Sequence, residues 1–530
     1  MTITRRSGLR ISFLSAACAA ALAIAGCGDD SGGGGGSGDL ADYAPADSPL
    51  YIEGVIRPEG ELGDNIEALV ENVSGLSDPG QLLIDQINQG LAEDPESEDF
   101  TYEDDIEPWL GERAGLAVGS FTESAEDDVV AVIEVTDTGA AQDFLDRIVE
   151  TSSEDLMEAS YEGVDYVVES EGAAVGIVDD VLAVGGTEAK FEELVDAGSG
   201  EGLSSDEDFE QTISEAPDES LVDFYIDSTA FLEEIKKQSD PAARQFFDSL
   251  GAQGDQGAAV ASLIPEADRV EFQAVSTAEN PAGTGAATEL LESFPSDSFA
   301  AFAVPEVGEA LAMGLDQLDE VGIPGEVPPG QLKAGLNQFG VDIDEIASAI
   351  GDVGIYAQGT DLQTIGGALV ITTDDPETIA SSLESVNDLL KRERVPGYTA
   401  ITGNATGFAI RNPQELGPRP LVILTAGDRL AVGYGEKATE QALSPSQGEG
   451  LADNPVFGDA TEALDGVDPS GFVDFASVFE LIENVRPDVL SDTDYQQARP
   501  YLEKLGYLVF GSGEEGDLTT ARFILGLSEE

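Results

Sequence analysis

The sequence predicts an α+β protein: two tandem homologous domains, each a mainly antiparallel β-sheet packed with helices, behind an N-terminal signal peptide and a flexible Gly/Ser tether. Three observations lead there. Short apolar segments bounded by Gly, Asp or Glu follow one another without helices between them in several places, which favours antiparallel pairing. Stretches with apolar residues at i, i+3, i+4 and i+7 separate the others. A series of segments then recurs in constant order at a nearly constant offset, 248 residues from Asp180 to Asp428.

At the N-terminus, Met1 to Arg10 carries Arg5, Arg6 and Arg10 without an acid, and Ile11 to Ala25 is apolar and alanine-rich. That is the layout of a cleaved export signal, and the run falls short of the ~20 apolar residues of a membrane span. Ile24-Ala25-Gly26-Cys27 resembles the bacterial lipobox. A lipobox implies that the Cys27 thiol takes a diacylglyceryl group, with acyl chains such as palmitate, and that cleavage between Gly26 and Cys27 leaves Cys27 as the first residue. An ordinary secretory signal with an incidental cysteine is the alternative. Thr4-Arg5-Arg6 with Leu9-Arg10 resembles a twin-arginine export signal, and a generic basic leader accounts for the same residues.

Two acyl chains hold a protein at a bilayer, because burial is worth about 0.8 kcal/mol per methylene. Gly28 to Asp39 is almost all Gly, Ser and Asp, a tether with a reach of roughly 20 Å. Residues 1–26 therefore read as signal peptide and 27–42 as lipidated cysteine and tether. Cys18 leaves with the signal, so the mature chain has no free thiol and no disulfide.

In the body of the chain, Pro49–Ile56, Gly115–Phe121, Val129–Val135, Val164–Glu169 and Val181–Gly186 have strand patterns. Asn65–Val73, with Ile66, Leu69, Val70 and Val73 on one face, and Ala140–Val149 have helical ones. "PADSPLYI" at Pro45 returns as "PSDSFAAF" at Pro295, "DVLAVGGTEAKFEEL" at Asp180 as "DRLAVGYGEKATEQAL" at Asp428, and "YIDSTAFLEEI" at Tyr225 as "FVDFASVFELI" at Phe472. These place one α+β repeat at 43–280 and a second at 288–530, joined through Ser276–Thr288.

"PLYIEGVIRPEGEL" (Pro49 to Leu62) and "YEDDIEPWLGERAGLAVGSF" (Tyr102 to Phe121), behind a lipobox and a Gly-rich tether, resemble the bacterial envelope proteins grouped as domain of unknown function 3352. The second repeat departs from the pattern, with Ile346 to Ile350 where Pro108-Trp109-Leu110 stand in the first. The resemblance implies a secreted or membrane-tethered α+β lipoprotein and supplies no catalytic residues.

The charge narrows the choice of partner. With 23 basic against 106 acidic residues the chain carries −83, which excludes nucleic acid, whose phosphates need Lys and Arg surfaces. The same field repels anionic headgroups, so membrane attachment falls to the lipid. A solvated surface, salt adaptation and weak divalent-cation binding by clustered carboxylates all fit the acid runs.

Chemistry is easier to exclude than to assign. There is no histidine, so Ser-His-Asp and Cys-His catalysis and the usual zinc sites are absent. Carboxylate-pair hydrolysis stays formally open. "VGYGEKA" (Val432 to Ala438) superficially resembles a dinucleotide loop, but its glycine pattern is incomplete and a strand-to-helix turn explains it. The D-x-D pieces at Asp342–Ile346, Ser205–Glu210 and Ser491–Gln496 lack the glycine and terminal glutamate of an EF-hand and read as helix caps. Trp109 reads as a core anchor or a binding aromatic.

The expectation is a monomeric, non-enzymatic envelope lipoprotein outside the cytoplasmic membrane. It would bind an apolar or amphipathic ligand between its lobes, or act as a scaffold for another envelope protein. A carboxylate- or metal-dependent hydrolase comes third. No cofactor is expected beyond the diacylglycerol on Cys27, and no catalytic or metal residue is assigned.

Overall fold

A computed structural model describes residues 39–528 apart from 94–96, 121–126, 153–155, 171, 239–243, 245–256, 279–286, 322–329, 332, 335–346, 413, 444–449 and 517. The chain forms two compact units, Met1–Glu279 and Asn280–Glu530.

Among the described residues the first unit has ten strands: β1 (Leu50–Val55), β2 (Leu110–Val118), β3 (Val129–Val135), β4 (Met157–Tyr161), β5 (Val164–Val168), β6 (Ala174–Val178), β7 (Val181–Gly185), β8 (Val222–Asp227), β9 (Ala258–Pro265) and β10 (Arg269–Ser276). They pair in the order β4-β5-β6-β7-β3-β2-β1-β8-β9-β10, antiparallel throughout. Its helices are α1 (Gly60–Ser74), α2 (Pro79–Glu93), α3 (Thr138–Thr151), α4 (Glu188–Asp196), α5 (Glu207–Ile213) and α6 (Ser228–Gln238).

The second unit has β11 (Ser298–Val304), β12 (Val353–Gln358), β13 (Gly366–Thr372), β14 (Tyr398–Ile401), β15 (Thr406–Ile410), β16 (Leu421–Ala426), β17 (Arg429–Tyr434), β18 (Pro469–Asp474), β19 (Leu505–Glu515) and β20 (Leu518–Leu527). Their order, β14-β15-β16-β17-β13-β12-β11-β18-β19-β20, repeats the first unit's strand for strand, again antiparallel. Its helices are α7 (Thr288–Glu292), α8 (Val307–Val321), α9 (Pro376–Glu393), α10 (Glu436–Ala442), α11 (Pro455–Ala463), α12 (Phe475–Val485) and α13 (Thr493–Leu502).

Local chemistry explains the elements. The α3 helix starts where the Asp137 carboxylate accepts from Gly139 N and Ala140 N, and it buries Ala141, Phe144, Leu145 and Ile148, one stripe at i, i+3, i+4 and i+7. The α1 helix ends at Gly75, whose φ of 75° is the left-handed cap that glycine adopts without strain. One boundary differs from the sequence pattern: β2 starts at Leu110, five residues before the expected Gly115. Its first part is irregular, with Glu112 N and Arg113 N donating to the Glu134 carboxylate across a register shift, so polar residues occupy it.

In each unit one sheet face carries the main core. In the first unit Tyr51, Val130, Val132 and Tyr225 pack against Phe191 and Leu194 of α4 and Phe209 of α5. In the second, Tyr356, Val370, Phe472 and Val509 pack with Leu290 and Leu291 of α7, Phe457 of α11 and Leu451.

The lead-in to each first strand plugs this core. Leu40, Ala41 and Ala44 are buried before Pro45, which bridges to Gly202, and Leu290, Leu291 and Phe294 are buried before Pro295, which bridges to Gly450. The spacing is identical and the volumes are exchanged. Small Ala41 and Ala44 go with large Tyr51 and Glu53 on β1, whereas large Leu291 and Phe294 go with small Ala301 and Ala303 on β11. Tyr356 offsets this in part, stacking on Phe294 at 5.0 Å where the first unit has Ala117. The two cores thus divide the same positions differently, one placing its bulk on the strand and the other on the lead-in.

A second cluster lies on the opposite face of the first sheet, where Trp109, Ile133, Val135 and Leu182 meet Phe144 and Leu145 of α3.

Candidate functional site

Three clusters present themselves, all inside single units. The first is a buried charged group on the core face of the first sheet. Glu53 is fully buried, and its carboxylate accepts from Arg113 Nη1 at 2.9 Å, Tyr51 Oη at 2.6 Å and Leu40 N at 3.3 Å. Across the ladder Glu53 faces Asp223, which accepts from Ser220 Oγ at 2.7 Å and Ser262 Oγ at 2.6 Å. Burial pushes the Glu53 carboxyl up, against the Tyr51 hydroxyl and the Arg113 guanidinium, which hold it down. Burial and the neighbouring Glu53 push the Tyr51 phenol up. Sealed from solvent and bonded to the plug residue Leu40, Glu53 is a clamp on the fold rather than a group that meets a substrate.

The second is a polar recess of about 100 Å³ lined by Pro45, Asp47, Ser48, Gly119, Asp128 and Lys190, among others. Lys190 Nζ lies 2.8 Å from Asp128 and 2.6 Å from Glu193. Burial alone lowers the ammonium's pKa, but these partners raise it above its ordinary value. A nucleophilic lysine needs the opposite shift. In the second unit Ala438 occupies the corresponding turn, and its carbonyl accepts from Tyr356 Oη.

The third is apolar. On the sheet face opposite the core, register aligns Phe408, Ile423, Val432, Leu369, Ile355, Phe302, Gly471, Phe510 and Phe523 in one row across nine strands of the second unit. The first unit has the same row as Val167, Val175, Val184, Ala131, Leu116, Ile52, Phe224, Ala261 and Ala274. The second unit's row has Phe510 and Phe523 where the first has Ala261 and Ala274, and Gly471 where the first has Phe224. Phe302 and Phe510 stack at 5.8 Å, and Phe510 and Phe523 at 5.4 Å, with near-parallel planes. Gly471 makes the room: a Cβ there would collide with the Phe510 ring and lie 2.7 Å from Phe302 Cδ1.

Cover over this row is uneven. The α9 helix packs over β14, β15 and β16, where Phe408 is buried. Ile355 remains 49% exposed, Phe523 47% and neighbouring Val304 55%. The α12 helix lies against β19 and β11 with Phe475 and Phe479 stacked at 6.1 Å, yet none of its residues is buried. An amphipathic helix beside half-exposed Phe523, Ile355 and Val304 on a sheet face forms an apolar surface that is only partly closed.

The family described as "Protein of unknown function (DUF3352)" matches residues 83–508, most of the chain. The chain belongs to the DUF3352 family. No curated protein matches it. Solved structures similar to it include TP0453 in crystal form I, at 13% identity over 46% of this chain and 79% of that one, and in crystal form IV, at 15% over 45% and 83%. Both have a TM-score of 0.25, a likeness too weak to carry any conclusion.

In this DUF3352 chain Arg5, Arg6, Gly26 and Cys27 lie outside the described residues, as does Asp342–Ile346. Asp206 and Asp492 cap α5 and α13, the first accepting from Phe209 N and the second from Asp494 N and Tyr495 N. Trp109 is core, packed on Phe144 at 5.2 Å with its indole N–H on Asp105 O at 2.7 Å. "VGYGEKA" is a strand-to-helix turn from β17 into α10. Among the described residues no group of three or more acidic side chains is placed to hold a metal, and no helix is long and apolar enough to cross a membrane. The apolar row escaped sequence reading because its members come from nine segments. Only its single-strand signal, alternation in segments such as Ser298–Val304, was visible.

Proposed function

We propose that this DUF3352 chain is an extracytoplasmic lipoprotein, anchored through Cys27, that binds an apolar or amphipathic ligand without chemical conversion. The two units act as copies of one domain, a reading supported by their shared strand order and plug spacing. The single observation behind ligand binding is the half-open aromatic row of the second unit, Ile355 to Phe523, on a chain otherwise dominated by acid. Half-exposed Phe523, Ile355 and Val304 on one sheet face are unfavourable unless something covers them, since about 25 cal/mol is forfeited per Å² of apolar area left wet.

The sealed Glu53 and the protonated, paired Lys190 offer no nucleophile or general base, which favours binding over catalysis. Native mass spectrometry of protein extracted gently from membranes tests the reading. A reproducible small adduct, lost in a Phe523→Ser variant, is the expected result. Its repeated absence together with a stoichiometric envelope protein would replace ligand binding by a scaffold role.

A further inference from the structure

We infer that the ligand of the second unit's row is a long-chain lipid whose headgroup carries no net negative charge. This rests on the ligand-binding reading above and specifies its chemistry. Length comes first. From Ile355 on β12 to Phe523 on β20 the row crosses five neighbouring strands. At ~4.8 Å per strand spacing that is roughly 19 Å, enough to seat an acyl chain that spans one leaflet, about half of the ~30 Å hydrocarbon core. The floor suits a chain laid across the strands, because the Phe302, Phe510 and Phe523 rings stack near-parallel and Gly471 lets them close over the gap at β18.

Charge then selects the head. Residues 280–530 contain 12 basic and 42 acidic side chains. The arginines nearest in sequence to the five-strand stretch from Ile355 to Phe523 are engaged: Arg522 beside Asp465, Arg499 with Glu483 and Glu503, and Arg486 with Asp488. A carboxylate or phosphate head would enter a repulsive field with these cations already neutralised, whereas an uncharged head would not.

The test uses the full chain carrying Cys27→Ser, so that no attached acyl chain competes, with N-phenyl-1-naphthylamine as the reporter dye. Monopalmitoylglycerol and palmitate, which share a chain and differ in head charge, compete for the dye. At about 10 mM salt, where the Debye length is ~30 Å, palmitate should compete at least tenfold more weakly, and the gap should shrink near 1 M, where it is ~3 Å. Ile355→Ser with Phe523→Ser, both at exposed positions, should abolish competition while circular dichroism stays unchanged. Equal or tighter binding of palmitate at low salt overturns this inference and leaves ligand binding standing. Undiminished binding in the double variant overturns the location. Failure of the dye and both lipids to bind overturns the ligand-binding reading itself.

Discussion

Replacing Arg113 by methionine isolates the buried charge of Glu53. The two side chains are 8% and 0% exposed and 2.9 Å apart, so the substitution leaves a sealed carboxylate without its guanidinium counter-charge, still accepting from Tyr51 Oη and Leu40 N. Removing one member of a buried pair costs about 3 to 5 kcal/mol. The pH dependence has a definite sign. Burial already raises the Glu53 carboxyl, and losing the guanidinium raises it further. The folded state then holds its proton above the ordinary range of about 4.3, so stability is lost as pH rises through the folded pKa. The loss is greater in the variant. The gap between parent and Arg113→Met should therefore be smallest near pH 4 and widen toward pH 8.

Trp109 is the only tryptophan and lies in the first unit's core, so its fluorescence during urea unfolding reports that unit alone. With an m-value of about 3 kcal/mol/M, the midpoint should fall by roughly 1 to 1.7 M at pH 8. A gap equal at both pH values, or wider in acid, would refute the assignment of Glu53 as a charge held against its burial.

Leu291→Ala should cost about 2 to 5 kcal/mol by leaving a cavity under β11, seen by circular dichroism with Trp109 emission unmoved through that transition. Ala41→Leu, its mirror in the first unit, should cost about 1 to 3 kcal/mol by overpacking against Tyr51, seen in the Trp109 transition. Asp137→Ala removes two backbone hydrogen bonds at the start of α3 and should lower the first unit's stability by about 1 kcal/mol in the same assay. Gly471→Ala should unstack Phe302 from Phe510 and weaken dye binding more than it lowers thermal stability.

Much of the architecture was readable from the chain because it is written locally. Ile66 and its neighbours predicted α1, the helical spacing of Ala140–Val149 predicted α3, and Val129–Val135 is β3 residue for residue. The start of β2 was not readable, since Glu112 and Arg113 break the apolar pattern and are accommodated only by Glu134 and Glu53, residues remote in sequence. The candidate site was illegible for the same reason. Phe302, Phe510 and Phe523 stand on three strands, and their stacking depends on a fourth, through Gly471.

The exchanged plug volumes have a consequence for how the chain reaches its native state. Tandem segments of similar sequence invite mispairing, in which one copy's strand adds to the other's nascent sheet. A lead-in ending in Leu-Leu and Phe would overfill a floor bearing Tyr51 and Glu53, and a lead-in with two alanines would leave Ala301 and Ala303 bare. A size mismatch of this kind would keep either half from accepting the other's opening segment, and so would let two units of one strand order fold in a single chain without entangling their routes.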